Sequence, residues 1–148
     1  MQITSNDFLN NGEIPSEYAC DGENVNPFLR ISEISEQAKN LVLIVDDPDA
    51  PGRTWVHWIV FNIPIFGKEL KIQEDSIPQG GILGQNDFKK LDYGGPCPPF
   101  GTHHYFFKVY ALDSRLDLKE GATKKQVEEA MKNHIISSVN LVGLYSRR

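Results

Sequence analysis

Positive charge is in short supply in this sequence: 15 Lys and Arg stand against 20 Asp and Glu, a net charge of −5. The basic pairs Lys89-Lys90, Lys124-Lys125 and Arg147-Arg148 are short and scattered. They form no basic field for a phosphate backbone, so a nucleic-acid partner is not expected. No run approaches the ~18 apolar residues of a transmembrane segment. The opening stretch, MQITSNDFLNNGE, lacks the basic and apolar regions of a secretory signal, which points to a cytoplasmic protein. Cysteine is also scarce. Cys20 and Cys97 form no C-x-x-C and cannot build a zinc motif alone. In a reducing cytosol the expectation is two free thiols. The alternative is a bond between them, because both lie in loop-like sequence and need only Cα atoms within about 7 Å.

The signatures of common enzymes are missing as well. There is no G-x-S-x-G elbow, no phosphate loop and no Rossmann glycine motif, so neither a catalytic residue nor a cofactor is assigned. Asp47 and His57 could pair as a base and its orienter, but no serine or cysteine in their stretch is an obvious nucleophile. Asp47, His57 and His103 are acceptable metal ligands, yet the H-x-H or H-x-x-x-H spacing is absent, and no metal is expected.

What is present is a set of apolar, β-branched and aromatic runs bounded by Pro, Gly or Asp. Leu41–Asp46, Trp55–Asn62, Tyr105–Leu112 and Val139–Tyr145 read as strands, and several are apolar on both faces, as in central strands covered on each side. Most of the nine prolines and twelve glycines fall between them, which favours a mostly β frame with long Pro/Gly loops in a single domain, residues 1–148. One main helix is expected over Thr123–His134. Thr123 and Gln126 make a capping box, and Val127, Ala130, Met131, His134 and Ile135 form one buried stripe. His134 on that stripe reads as a core or boundary histidine. A weaker helical turn is expected at Ser35–Lys39.

Two stretches could carry chemistry. In DDPDAPGRTWVHW an apolar strand stops at Asp47-Pro48-Asp49, and a second strand carries His57. Alternation puts Trp55, His57 and Ile59 on one face, and a carboxylate at the mouth of the neighbouring strand is the natural partner for His57. In GGPCPPFGTHHYFFKVYALD a stiff Gly/Pro loop leads to His103 and Tyr105, which share a face, while His104 points to the other. The glycine N–H groups of Gly94 and Gly95 could face a ligand.

Together, DPDAP, the strand histidine and GGPCPPxGTHHY resemble the phosphatidylethanolamine-binding protein family, the Raf kinase inhibitor-like proteins, in its short bacterial and archaeal branch. YACDGENVNPFL and LVGLY extend the resemblance over nearly the whole chain. It implies two antiparallel β-sheets and a small anion pocket at one end of the central sheet. Carried over by motif, the ligand-binding residues are Asp47, Trp55, His57, Gly95, Pro96, His103 and Tyr105. The implied function is non-enzymatic binding of a phosphate-bearing or similar small anion of the phospholipid head-group type. The alternative is a protein-interaction regulator, a protease inhibitor or a modulator of kinase signalling. Three departures are visible: Ile31 where many relatives have tryptophan, His104 where arginine is common, and an end soon after LVGLY without the C-terminal helix of the animal proteins. A more open site is therefore expected, and inhibition of a Raf-type kinase does not carry over.

Overall fold

The computed structural model of the chain describes residues 1–147, so Arg148 of the last basic pair lies outside the described residues. Nine strands and one helix follow in the order β1 (Gln2–Thr4), β2 (Gly12–Glu13), β3 (Leu29–Ser32), β4 (Asn40–Asp47), β5 (Trp55–Ile63), β6 (Leu70–Ile72), β7 (Ile82–Leu83), β8 (Thr102–Leu112), α1 (Lys124–Met131) and β9 (Ile135–Ser146). The large sheet has strand order β2-β9-β8-β4-β5-β7, and a small sheet has order β1-β3-β6. All pairings are antiparallel except the two-residue contact of β2 with β9. The four long strands are those read from the sequence.

β4 is buried along its whole length because it is covered on both faces. Leu41, Leu43 and Val45 face the core shared with Ile3, Leu29 and Ile31 of the small sheet. Val42 and Ile44 face the other way, onto Val127 and Met131 of α1. Period-two alternation thus sends successive β4 residues into separate apolar layers.

The alternation fails in β5, and the failure matters. Val45 lies opposite Trp58 and Asp46 opposite Val56, so His57 is the extra residue of a β-bulge. His57 and Trp58 therefore lie on the same side of the strand, and Ile59 joins the α1 layer with Val56. Ile59 does not share the His57 face, as simple alternation predicted. A second register shift falls near Asn62, which has φ 53° and whose side chain holds the main chain of Leu116 at 2.8 and 2.9 Å.

The helix starts as read, with both hydrogen bonds of the Thr123–Gln126 capping box present. It stops at Met131, three residues early, because Asn133 takes a left-handed conformation (φ 69°) that breaks the helical run. His134 is consequently a boundary residue bonded to Asp113 at 2.8 Å, and Ile135 opens β9 with 47% exposure instead of extending the buried stripe. Ser35–Lys39 is a single turn closed by Ala38 N–H to the Ser35 carbonyl. Thr123→Ala is expected to cost about 1 kcal/mol, visible as a melting temperature lower by about 2–4 °C with the sheet unchanged.

The cysteines are bonded rather than free. Cys20 and Cys97 form a disulfide with Cα atoms 5.4 Å apart, spanning 77 residues of sequence. The fold brings the loop after the short 3-10 turn Ser16–Tyr18 against the Gly/Pro loop before β8, and Cys20 N–H donates to the Pro96 carbonyl at 3.0 Å. The expectation of two free thiols, drawn from a reducing cytosol, is overturned, and the alternative of a bond between the two loop cysteines holds.

Candidate functional site

The end of β4 and the beginnings of β5 and β8 lie side by side in the large sheet, so the two histidine motifs meet at one sheet end. A cavity of about 260 Å³ opens there, lined by Asp47, Trp55, His57, His103 and Tyr105 together with Phe88. Ala50 and Pro51 form one side of its rim, and Cys97, Pro98 and Pro99 form another. Five of the seven sequence-predicted ligand residues thus converge. Gly95 and Pro96 do not line the cavity. They sit behind it, with the Gly95 N–H spent on Asn24 Oδ1 (2.7 Å) and the Pro96 carbonyl on Cys20. The lining residues are the next in the loop. The Gly94 N–H likewise donates to the His57 carbonyl (2.9 Å), so neither glycine amide is left for a ligand.

Asp47 is 3% exposed, and its Oδ2 lies 2.6 Å from Nδ1 of His103. Its other oxygen accepts the Asp49 N–H at 2.8 Å, closing the Asp-Pro-Asp turn. The partner of the carboxylate is therefore His103 on β8, not His57 on β5. The bulge instead delivers His57 Nδ1 to the Gly94 carbonyl at 2.6 Å. A carbonyl cannot donate, so Nδ1 carries the proton and, in the neutral ring, Nε2 is the acceptor. The same logic makes His103 Nδ1 the donor to Asp47 and leaves its Nε2 for the cavity.

Aromatic edges fix both rings. His57 meets Tyr105 edge-on at 5.2 Å and Phe88 at 5.4 Å, Phe88 meets Trp55 at 5.6 Å, and His103 stacks on Tyr105 at 6.4 Å. Phe88 was not read from the sequence, since it lies in a polar stretch, QNDFKK, with no strand periodicity. Its exposure of 38% beside a cavity is the structural signal.

Tyr105 is 1% exposed; the Cys97 main chain approaches its hydroxyl oxygen without a well-formed bond, and the O–H itself donates to no acceptor. Burial, then the nearby Asp47 charge, pushes its ionisation far above the usual range, although the Cys97 backbone opposes this. The group stays a neutral donor. Leaving a buried hydroxyl unpaired costs ~1–3 kcal/mol, which a bound acceptor would recover.

His57 titrates lower than an ordinary histidine because burial outweighs the Gly94 carbonyl and the Asp47 charge. The Asp47 charge still acts to raise it, but without a direct bond from the carboxylate the burial cost prevails. The consequence for stability follows from linkage. The unfolded chain takes up this proton more readily, so the contribution of neutral His57 is complete above about pH 6.5 and is lost as pH falls through its lower folded value. Thermal melts should show stability declining below pH 6.5, with the decline reduced in His57→Gln.

His104 points away from the cavity, as read. It is exposed and bonds Asp49 through Nδ1 (2.7 Å) and its backbone N–H (2.8 Å), and these bonds hold the Asp49 carboxyl below the usual carboxylate range. Among the described residues no group of three or more His, Cys, Asp or Glu could hold a metal ion. No helix among them is long and apolar enough to cross a membrane.

A two-sheet β fold with a histidine-carboxylate pocket at the sheet end defines the class, and sequence comparison agrees. The profile of the phosphatidylethanolamine-binding protein family matches residues 4–146. The chain belongs to that family. It is 47% identical to a UPF0098 protein of Methanothermobacter thermautotrophicus over 150 aligned positions, covering 99% of each chain. It is 50% identical to a UPF0098 protein of Pyrococcus abyssi, covering 100% of this chain and 86% of that one. Among solved structures, a phosphatidylethanolamine-binding protein homolog from Chlamydia trachomatis superposes with TM-score 0.92 at 39% identity, covering 99% of this chain and 97% of the other. E. coli YbcL, described as a new member of the mammalian family, gives 0.90 at 31% identity, covering 99% and 98%.

Proposed function

We propose that the protein is a non-enzymatic, single-domain binding protein of the cytoplasm whose pocket takes a small phosphate-bearing molecule of the phospholipid head-group type. The observation that carries this reading is the Tyr105 O–H, a buried neutral donor with no acceptor in a cavity that also presents two fixed imidazoles. An acceptor oxygen on the ligand would satisfy it. At about 260 Å³ the cavity falls below the ~300–1,000 Å³ of drug-sized sites, which suits a head group without its acyl chains.

The Asp47 carboxylate decides which anions fit. Two like charges at about 4 Å repel by about 4 kcal/mol at an effective dielectric of 20, so a bare dianion is disfavoured. A ligand that brings its own proton or ammonium group suits the site better. Its donors meet Nε2 of His57 and His103, and its oxygens meet Tyr105. Phosphoethanolamine has both features.

Nothing in the pocket is arranged for covalent chemistry. The Cys97 sulfur is in a disulfide, and both oxygens of the Asp47 carboxylate are engaged, by His103 and by the Asp49 N–H. The reading is tested by NMR titration with phosphoethanolamine. The side-chain resonances of His57, His103 and Tyr105 should move together with one dissociation constant, and those of His104 should not. His57→Ala and His103→Ala should each weaken binding about tenfold, the equivalent of one lost hydrogen bond of about 1.4 kcal/mol. His104→Ala serves as the control. Equal shifts at His104, or no shifts at saturating concentration, would sink the proposal.

A further inference from the structure

The Gly/Pro loop is tied very unevenly. Up to Pro96 it is held by hydrogen bonds: the Tyr93 hydroxyl to the Tyr18 carbonyl, Gly94 to and from His57, Gly95 to Asn24, and Cys20 to Pro96. From Cys97 to Gly101 the backbone makes no ladder or turn hydrogen bond among the described residues, apart from the approach of the Cys97 main chain to the Tyr105 hydroxyl. Pairing resumes only at Thr102, the start of β8. Yet Cys97, Pro98 and Pro99 are the residues that wall the cavity. The covalent bond to Cys20 is what fixes this wall, and both cysteines are partly exposed, within reach of a reductant.

We infer that the Cys20–Cys97 bond is a redox-reversible clamp on the pocket wall, so that the site is formed in the oxidised protein and loosened in the reduced one. The exchange is a two-electron step. A thiolate of a dithiol reductant attacks one sulfur, and the second reductant thiol displaces the mixed disulfide. Cys20 and Cys97 leave as thiols and the reductant as its own disulfide. The change stays local because the core between the two sheets is independent of the bond and the Gly94–Pro96 ties remain. The wall of Cys97, Pro98 and Pro99 then has little to hold it against Tyr105 and Phe88. This inference rests on the head-group reading for its effect on affinity, but not for the motion itself.

The two are separated by measuring both. In uniformly labelled protein, ¹⁵N order parameters of Cys97, Phe100 and Gly101 should be near 0.85 when oxidised and fall below about 0.6 with excess dithiothreitol, while β4 and β5 keep their values. Phosphoethanolamine affinity should fall about tenfold on reduction and be restored on reoxidation. The Cys20→Ser/Cys97→Ser double variant should reproduce the reduced state and ignore reductant. Unchanged order parameters on reduction would overturn the clamp. So would global unfolding on reduction, which would make the bond a staple of the whole fold. If the oxidised protein does not bind phosphoethanolamine, the head-group reading fails, and the order parameters still decide the clamp.

Discussion

Reducing the Cys20–Cys97 bond is expected to lower the melting temperature by roughly 9–18 °C, the largest single effect on stability that the structure implies. The bond closes a loop of 77 residues in sequence separation. Cross-linking over that length removes chain entropy from the unfolded state worth about 4.5 kcal/mol at 25 °C. At about 2–4 °C per kcal/mol for a chain of this size, the stated range follows. Folded domains of this length hold roughly 7–22 kcal/mol of stability at 0.05–0.15 kcal/mol per residue, so the reduced chain should remain folded at room temperature. Scanning calorimetry with and without reductant, and on the double serine variant, checks both statements. Equal melting temperatures in the two states would show that the bond does not constrain the unfolded chain.

Gly95→Ala is the substitution with the largest expected effect near the site, although Gly95 does not touch the cavity. A Cβ built there would stand 2.3 Å from the Tyr18 carbonyl oxygen, 2.5 Å from Asn24 Oδ1 and 2.9 Å from Ala19 Cα. Two of the three are main-chain atoms of the segment that carries Cys20, so no side-chain rotation relieves the contact. The loop must move away, breaking the Gly95–Asn24 bond and displacing the Gly94 carbonyl that holds His57. Overpacking of this kind costs about 1–3 kcal/mol and the lost hydrogen bond about 1 more, giving roughly 2–4 kcal/mol. Urea denaturation should show that loss, and phosphoethanolamine binding should weaken at the same time. Gly101→Ala provides a contrast. It has φ 71° but nothing within 4 Å of a Cβ, so it should cost only the strain of a left-handed alanine, about 1 kcal/mol. A Gly95→Ala protein as stable as wild type would mean the two segments are not in contact.

The long strands were legible because their apolar runs are bounded by proline, glycine and aspartate. The pocket was legible because antiparallel pairing gathers the end of one strand and the beginnings of two others. Alternation correctly separated His103 and Tyr105 from His104, since β8 is regular through those positions. It misplaced Ile59 because a bulge leaves no signature in WVHWIVFN beyond the adjacent His57 and Trp58. The partner of Asp47 was misread for a related reason. Nearness in sequence favoured His57, whereas the strand order sets β8 against the opposite edge of β4 and gives the carboxylate to His103. Gly95 and Pro96 were assigned to the lining in place of Cys97–Pro99, because a loop without periodicity does not say which residues face inward. The disulfide joins segments 77 residues apart; two cysteines in loop-like sequence left the bond open as an alternative, and the redox argument favoured free thiols because it carries no information on distance.

The central claim, a pocket that binds a protonated phosphate ester beside a buried carboxylate, is tested most directly by calorimetric titration of phosphoethanolamine into oxidised protein from pH 7.5 to pH 6. A phosphate monoester dianion takes up a proton near pH 6 and becomes a monoanion, which lowers its repulsion from Asp47. Affinity should therefore rise by about tenfold across this range, and His57→Ala and His103→Ala should each bind about tenfold more weakly at every pH while His104→Ala follows wild type. Affinity that is unchanged with pH and indifferent to both pocket histidines would contradict the account.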